Sequence, residues 1–180
     1  TERYPLAQTP EGKKLPILST LGTATRDADA AAYRAMMAHL REIDAREQTV
    51  VMMQIENEVG LHGHPMDYCP QAREAFAGEV PQQLLSYLKE HKDKLLPETL
   101  QAWEQGGCAT SGSWEQVFGK NWRCEEIFMA WNYASYINHI AAEGKKEYDI
   151  PVFVNAWIVQ PEDSRAGNYP SGGPQAQNHD

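Results

Sequence analysis

Val50-Val51-Met52-Met53-Gln54-Ile55-Glu56-Asn57-Glu58-Val59-Gly60 is an apolar, β-prone run that stops abruptly in Glu-Asn-Glu before a glycine. A buried strand that delivers carboxylates to its C-terminal end has this pattern. The run is apolar on both faces through Met53, which suits a parallel strand covered on both sides better than a half-exposed antiparallel one. In a parallel α/β barrel the active site lies at that end of the strands.

The flanking sequence extends the pattern. Asp27 to Glu47 predicts a helix, with Tyr33, Met36, Met37, Leu40 and Ile43 at helical spacing and Thr25 or Asp27 as its cap. Thr49 to Glu56 is then the strand. Arg123 to Glu147 predicts a long helix carrying Ile127, Phe128, Trp131, Ala134, Ile137 and Ile140 along one side, with Gly144 weakening its end. Val152 to Ile158 follows as a second strand, its leading Pro151 tolerated at that position. Helix, strand, helix, strand is an α/β alternation. Between the strands, residues 61–122 are too long for one loop. They predict three helices, Pro70 to Ala77, Pro81 to Lys94 and Pro97 to Gln105, each opening near a proline. Thr110 to Gly119 reads as a Ser/Gly/Trp loop. Residues 1–16 read as irregular, Leu15 to Ser19 as a short extended piece, and Gln160 to Asp180 as a long loop.

Two strands cannot close a barrel, since an eight-stranded one takes at least about 200 residues. The expected fold class is therefore α/β, a segment of a (β/α)8 barrel, with residues 61–122 inserted above its mouth. Thr1-Glu2-Arg3-Tyr4-Pro5 has neither Met nor a signal-peptide pattern, and the other end stops in a polar loop. Both ends are expected to be breaks in a longer protein.

Composition narrows the function classes. Apolar residues are 42% and charged residues 23% of the chain, ordinary values for a globular protein. The net charge of -9 argues against nucleic acid, whose phosphates need a Lys/Arg excess, and against an anionic membrane surface. No apolar run is long enough to span a bilayer. Cys69, Cys108 and Cys124 show no CxxC spacing and read as free structural thiols. His62, Gly63 and His64 with Asp67 and Cys69 mimic a metal cluster, but no second half with ligand spacing accompanies them, so no metal is expected. GxGxxG, Walker and GxSxG patterns are absent, and no cofactor is implied.

The chemistry sits around Glu58. Along a regular strand Gln54, Glu56 and Glu58 point one way and Asn57 the other. Asn57 and Glu58 share a pocket only if the strand ends or bulges, which Val59-Gly60 permits. The bland alternative is a solvated turn carrying charges. Retaining glycoside hydrolysis needs two carboxyl groups about 5–5.5 Å apart. Glu58 suits the acid. Glu56 does not suit the nucleophile, because both would project from one wall. No other glutamate falls at a strand end after Trp157, so the nucleophile is expected outside the chain. Asn155 and Trp157, at the end of the second strand, are candidate sugar contacts, with turn capping and core packing as the alternatives. Trp114, Trp122 and Tyr169 are weaker sugar platforms. Trp131, Tyr133 and Tyr136 read as helix packing.

Gln54-Ile55-Glu56-Asn57-Glu58-Val59-Gly60 resembles the QIENE[YV]G motif of glycoside hydrolase family 35, the β-galactosidases. Further matches to a bacterial branch are Glu79-Val80-Pro81, His91-Lys92-Asp93, Thr110 to Glu115, Glu126 to Trp131, Val152 to Trp157 and Tyr169 to Pro174. The resemblance implies a (β/α)8 barrel and retaining release of terminal β-D-galactose. It implies Glu58 as acid/base on the fourth strand and Asn57 as a ligand of a substrate hydroxyl. Val152 to Ile158 would be the fifth strand, and the nucleophile would lie on the seventh, beyond Asp180. The implied partners are a β-galactoside and the remainder of the barrel. The rival expectations are a non-catalytic galactoside-binding or structural fragment and a metal-binding helical module.

Overall fold

The computed structural model describes residues 3–61, 63–155 and 166–167. It is a mixed α/β structure of helices and two small sheets. The chain begins with β1 (Leu6–Gln8) and β2 (Lys14–Leu18), an antiparallel pair with Leu6 opposite Leu18 and Gln8 opposite Lys14. Residues 6–8 were expected to be irregular. They form a strand because Thr9 and Gly12 close a turn, with Thr9 N–H donating to the Lys13 carbonyl at 2.9 Å and Gly12 at φ 82°.

Helix α1 spans Thr23–Asp44, four residues longer at its start than the sequence suggested. Gly22 occupies the cap position, and Thr25 lies in the first turn, so neither Thr25 nor Asp27 is the cap. The helix ends where Asp44 turns its carboxylate onto the following residues. That carboxylate accepts from Thr49 N at 3.0 Å, from Val50 N at 2.9 Å and from the Thr49 hydroxyl. These bonds, the hydroxyl's first, hold the Asp44 carboxyl below its usual range. They also aim the chain into the strand that follows.

Strand β3 is Met53–Gln54 and β4 is Val152–Phe153. They pair in parallel, Met53 opposite Val152 and Gln54 opposite Phe153. The ladder continues through Met53 N–H to the Pro151 carbonyl at 3.0 Å and Ile55 N–H to the Phe153 carbonyl at 2.9 Å. Both strands are shorter than the expected 49–56 and 152–158, and residues 156–158 lie outside the described residues. The expected burial on both faces is also not met. Ile55 is 2% exposed, but Val51 is 65% and Met52 51% exposed. A two-stranded sheet has no neighbouring strand or second layer to cover them.

The 61–122 region carries α2 (Pro70–Ala77), α3 (Gln82–Glu90), a 3-10 turn (Lys92–Lys94), α4 (Pro97–Gln105) and α5 (Trp114–Phe118). Helix α5 replaces part of the expected loop. Ser113 and Gln116 form a capping box that starts it, with Ser113 N–H donating to the Gln116 side chain at 2.8 Å. Helix α6 (Trp122–Lys145) follows, its first turn capped by the Asn121 side chain, which accepts from Arg123 N at 3.0 Å and Cys124 N at 3.2 Å.

The main core lies between α6 and the 61–122 helices: Leu85, Leu88, Trp103, Trp114, Phe118 and Phe128 are among its buried members. Trp114 meets Phe128 edge-on, ring centres 5.2 Å apart at 81°. A smaller cluster of Ala30, Ile55, Tyr136 and Ile140 joins α1, β3 and α6. Gly144 brings the two long helices together. A Cβ there would sit 2.3 Å from the Tyr33 ring, so a glycine is required by close approach. Ala134, expected on the packed side of α6, is exposed.

Glu126, 1% exposed, ties a remote turn to α6. Its Oε1 accepts from Gly167 N at 2.9 Å, while Gly63 N donates to the Gly167 carbonyl at 3.1 Å. Burial pushes its carboxyl up to about 8, with the Gly167 bond working in the opposite direction.

Candidate functional site

Strand β3 ends before the Glu56-Asn57-Glu58 run. Ile55 makes the last ladder bond, and Glu56 and Glu58 then take left-handed backbone at φ 56° and 46°. Left-handed non-glycine residues in close succession mark a turn held by its surroundings. The strict alternation of side chains along a strand therefore stops before Glu56.

Asn155, just past β4, supplies most of what holds the turn. Its Oδ1 accepts from Glu58 N at 2.9 Å and from Gln54 Nε2 at 3.3 Å, and its Nδ2 donates to Asn57 Oδ1 at 3.0 Å. Gln54 adds a bond from Nε2 to the Glu56 carbonyl at 2.8 Å. Asn57, Glu58 and Asn155, separated by 97 or 98 residues of chain, thus meet at the C-terminal edge of the parallel pair. Asn155 does cap a turn, as its bland reading held. The turn it caps is the one that carries Asn57 and Glu58. Trp157 lies outside the described residues, as do His62 and Tyr169.

The turn borders a cavity of about 660 Å³. Glu56, Asn57 and Glu58 line one side, Asp29 of α1 another, and Tyr133 and Tyr136 of α6 a third. Glu56 and Asp29 both line the cavity. Desolvation first, then the Asp29 carboxylate, pushes the Glu56 carboxyl up to about 7. Tyr136 donates its hydroxyl to Asp29 Oδ2 at 2.8 Å. Burial, then this bond, pushes the Tyr136 phenol up. Tyr133 and Tyr136 are packing residues, as their spacing suggested, and they also wall the cavity.

Asp29 was missed in the sequence reading. Its signal was present: Thr25, Asp29 and Tyr33 recur every four residues, so an acid sits on the packed face of α1. The Thr25 hydroxyl on that face is buried and has no partner.

The apparent metal cluster is otherwise occupied. Asp67 Oδ1 accepts from Gln8 N at 2.9 Å and Cys69 N at 2.8 Å, and Cys69 packs against the Ser19 hydroxyl at 3.5 Å. Among the described residues no group of three ligating side chains gathers. Among the same residues no helix is long and apolar enough to cross a membrane. Trp114 is core, not platform.

No family model matches the chain, and no curated protein matches it.

Proposed function

We propose that the chain is part of the catalytic barrel of a retaining β-galactosidase resembling glycoside hydrolase family 35, with Glu58 as its general acid/base. The observation that carries this reading is the convergence of Asn155 on Asn57 and Glu58 at the C-terminal edge of two parallel strands. Active sites of α/β barrels lie at that edge. Val51, Met52, Phe153 and Val154 leave apolar surface exposed on and beside the pair. Neighbouring strands and helices of a barrel, contributed by chain outside residues 1–180, would cover it.

In this mechanism Asn57 holds a hydroxyl of the galactose. Trp157 offers a face on which the sugar stacks. Glu58 protonates the glycosidic oxygen as the bond to the aglycone breaks. A nucleophilic glutamate from outside the chain takes the sugar as a covalent ester, and Glu58 then deprotonates the water that releases it. No cofactor and no metal enters.

The test is Glu58→Gln in the complete barrel. Loss of a general acid costs about 10²–10⁴-fold in turnover of a natural galactoside. Glu58→Gly with azide should yield β-galactosyl azide, because azide attacks the covalent intermediate without needing a base. Full activity in Glu58→Gln would overturn the assignment.

A further inference from the structure

The cysteines separate into two kinds. All three are free thiols, and Cys69 and Cys124 are each 0% exposed. Burial pushes the Cys69 thiol up and pushes the Cys124 thiol up to about 12, so both stay protonated and enclosed. Cys108 is only partly buried, and it meets a second nucleophilic side chain. Lys92 donates from Nζ to Cys108 Sγ at 3.5 Å, across 16 residues of chain.

One tryptophan fixes both partners. Trp103 of α4 is 2% exposed, and its indole N–H donates to the Ala109 carbonyl at 3.0 Å. The Trp103 carbonyl accepts from Cys108 N at 2.9 Å, which closes the end of α4 with Cys108 at φ 54°. A non-glycine residue keeps that left-handed backbone only where its surroundings hold it. Lys92 Nζ lies 5.8 Å from the Trp103 ring centre and 3.7 Å from Glu104 Oε1. The amine of the 3-10 turn is thus held over the same indole whose backbone anchors the thiol.

We propose that Cys108 and Lys92 are a modification site at which hydrogen peroxide joins the two side chains through a sulfenamide bond. The proposal does not depend on the galactosidase reading. The Cys108 thiolate attacks a peroxide oxygen. An S–O bond forms, the O–O bond breaks, and the departing hydroxide takes up the thiol's proton as water. The sulfur is oxidised by two electrons to a sulfenic acid while the peroxide is reduced. Sulfenic acids condense with nitrogen to sulfenamides. The unprotonated Lys92 amine attacks the sulfur, an S–N bond forms and the S–O bond breaks. The leaving hydroxide takes a proton from the nitrogen and departs as a second water. One thiol, one amine and one peroxide therefore give one sulfenamide and two waters. The bond closes residues 92–108 into a ring that contains α4. A reducing thiol reverses it by attacking the sulfur and releasing the amine.

The test is peptide mass mapping of the full-length protein after treatment with hydrogen peroxide, the remaining thiols being blocked with iodoacetamide. The expected product is a linked pair of peptides carrying Lys92 and Cys108, lighter by about 2 Da than the two parts because two hydrogens are lost. Dithiothreitol should separate the pair. Lys92→Arg keeps a cation over Trp103, but its guanidinium stays protonated and does not attack sulfur. In that variant the link should be lost and the Cys108 sulfenic acid should persist, to be captured by dimedone. Cys108→Ser should yield neither the link nor the dimedone adduct at that position. Dimedone capture at Cys108 that is equal in native and Lys92→Arg, with no linked pair, would overturn the proposal. So would a Cys108 that peroxide leaves unchanged.

Discussion

Asn155→Ala isolates the contact that assembles the site. The substitution removes bonds to Glu58 N at 2.9 Å, Asn57 Oδ1 at 3.0 Å and Gln54 Nε2 at 3.3 Å. A net hydrogen bond is worth about 0.5–1.5 kcal/mol, and the 3.3 Å contact falls at the weak end. Asn155 is only partly buried, so water replaces some of what is lost. The expected cost to stability is about 2 kcal/mol. The cost to function should be larger in proportion, because the turn is freed to leave its left-handed conformation. About 1.4 kcal/mol of reorganisation corresponds to a tenfold weaker Kd. Urea unfolding gives the first quantity and calorimetric titration with a β-thiogalactoside the second. A cycle with Asn57→Ala should show a coupling of about 1 kcal/mol, since the two amides bond each other. Additive effects within about 0.3 kcal/mol, or unchanged affinity in Asn155→Ala, would refute the argument that Asn155 builds the site.

Three further outcomes are expected. Glu126 has a folded carboxyl raised from 4.5 to about 8, so its contribution is present below pH 4.5 and is lost as pH rises through about 8. At about 1.4 kcal/mol per pH unit that loss reaches up to about 5 kcal/mol; urea unfolding at pH 5 and pH 9 should find Glu126→Gln near native at the first and more stable than native at the second, and parallel pH dependence would contradict the burial argument. Gly144→Ala should destabilise by about 2 kcal/mol despite the better helix propensity of alanine, because the added Cβ meets the Tyr33 ring at 2.3 Å; a stabilised variant would show that α1 and α6 part easily. Ser113→Ala should cost about 1 kcal/mol through loss of the α5 cap and should leave galactoside affinity unchanged, which a paired melt and titration would check.

The elements with strong local signals were legible in sequence. Pro70 and Pro97 open their helices at the residues expected, and Gly106-Gly107 follows the end of α4. The parallel pairing of β3 with β4 matches the α/β alternation, because an apolar run between two long helices has few other places to go. Legibility failed where tertiary partners decide. The expected eight-residue strand shrank to Met53–Gln54, since ladder length is set by what lies opposite rather than by β-propensity. Trp114 was weighed in an expected loop because Ser and Gly surround it, yet Ser113 and Gln116 cap a short helix that carries its indole into the core. In the site, Asn57 and Glu58 could be chosen from the motif, and Asn155 from its strand-end position. Their meeting required the left-handed turn, which alternation rules do not contain. Asp29 escaped notice because alanines flank it and the helix was read for its apolar stripe.

The most direct measurement is an amide chemical-shift titration of the complete barrel with methyl β-D-thiogalactoside, repeated with Asn57→Ala. The account predicts perturbations centred on Asn57, Glu58 and Asn155 that weaken with the β-glucoside epimer and vanish in Asn57→Ala. Perturbations centred on other residues, or none at millimolar ligand, would contradict the claim that this turn is a galactoside site.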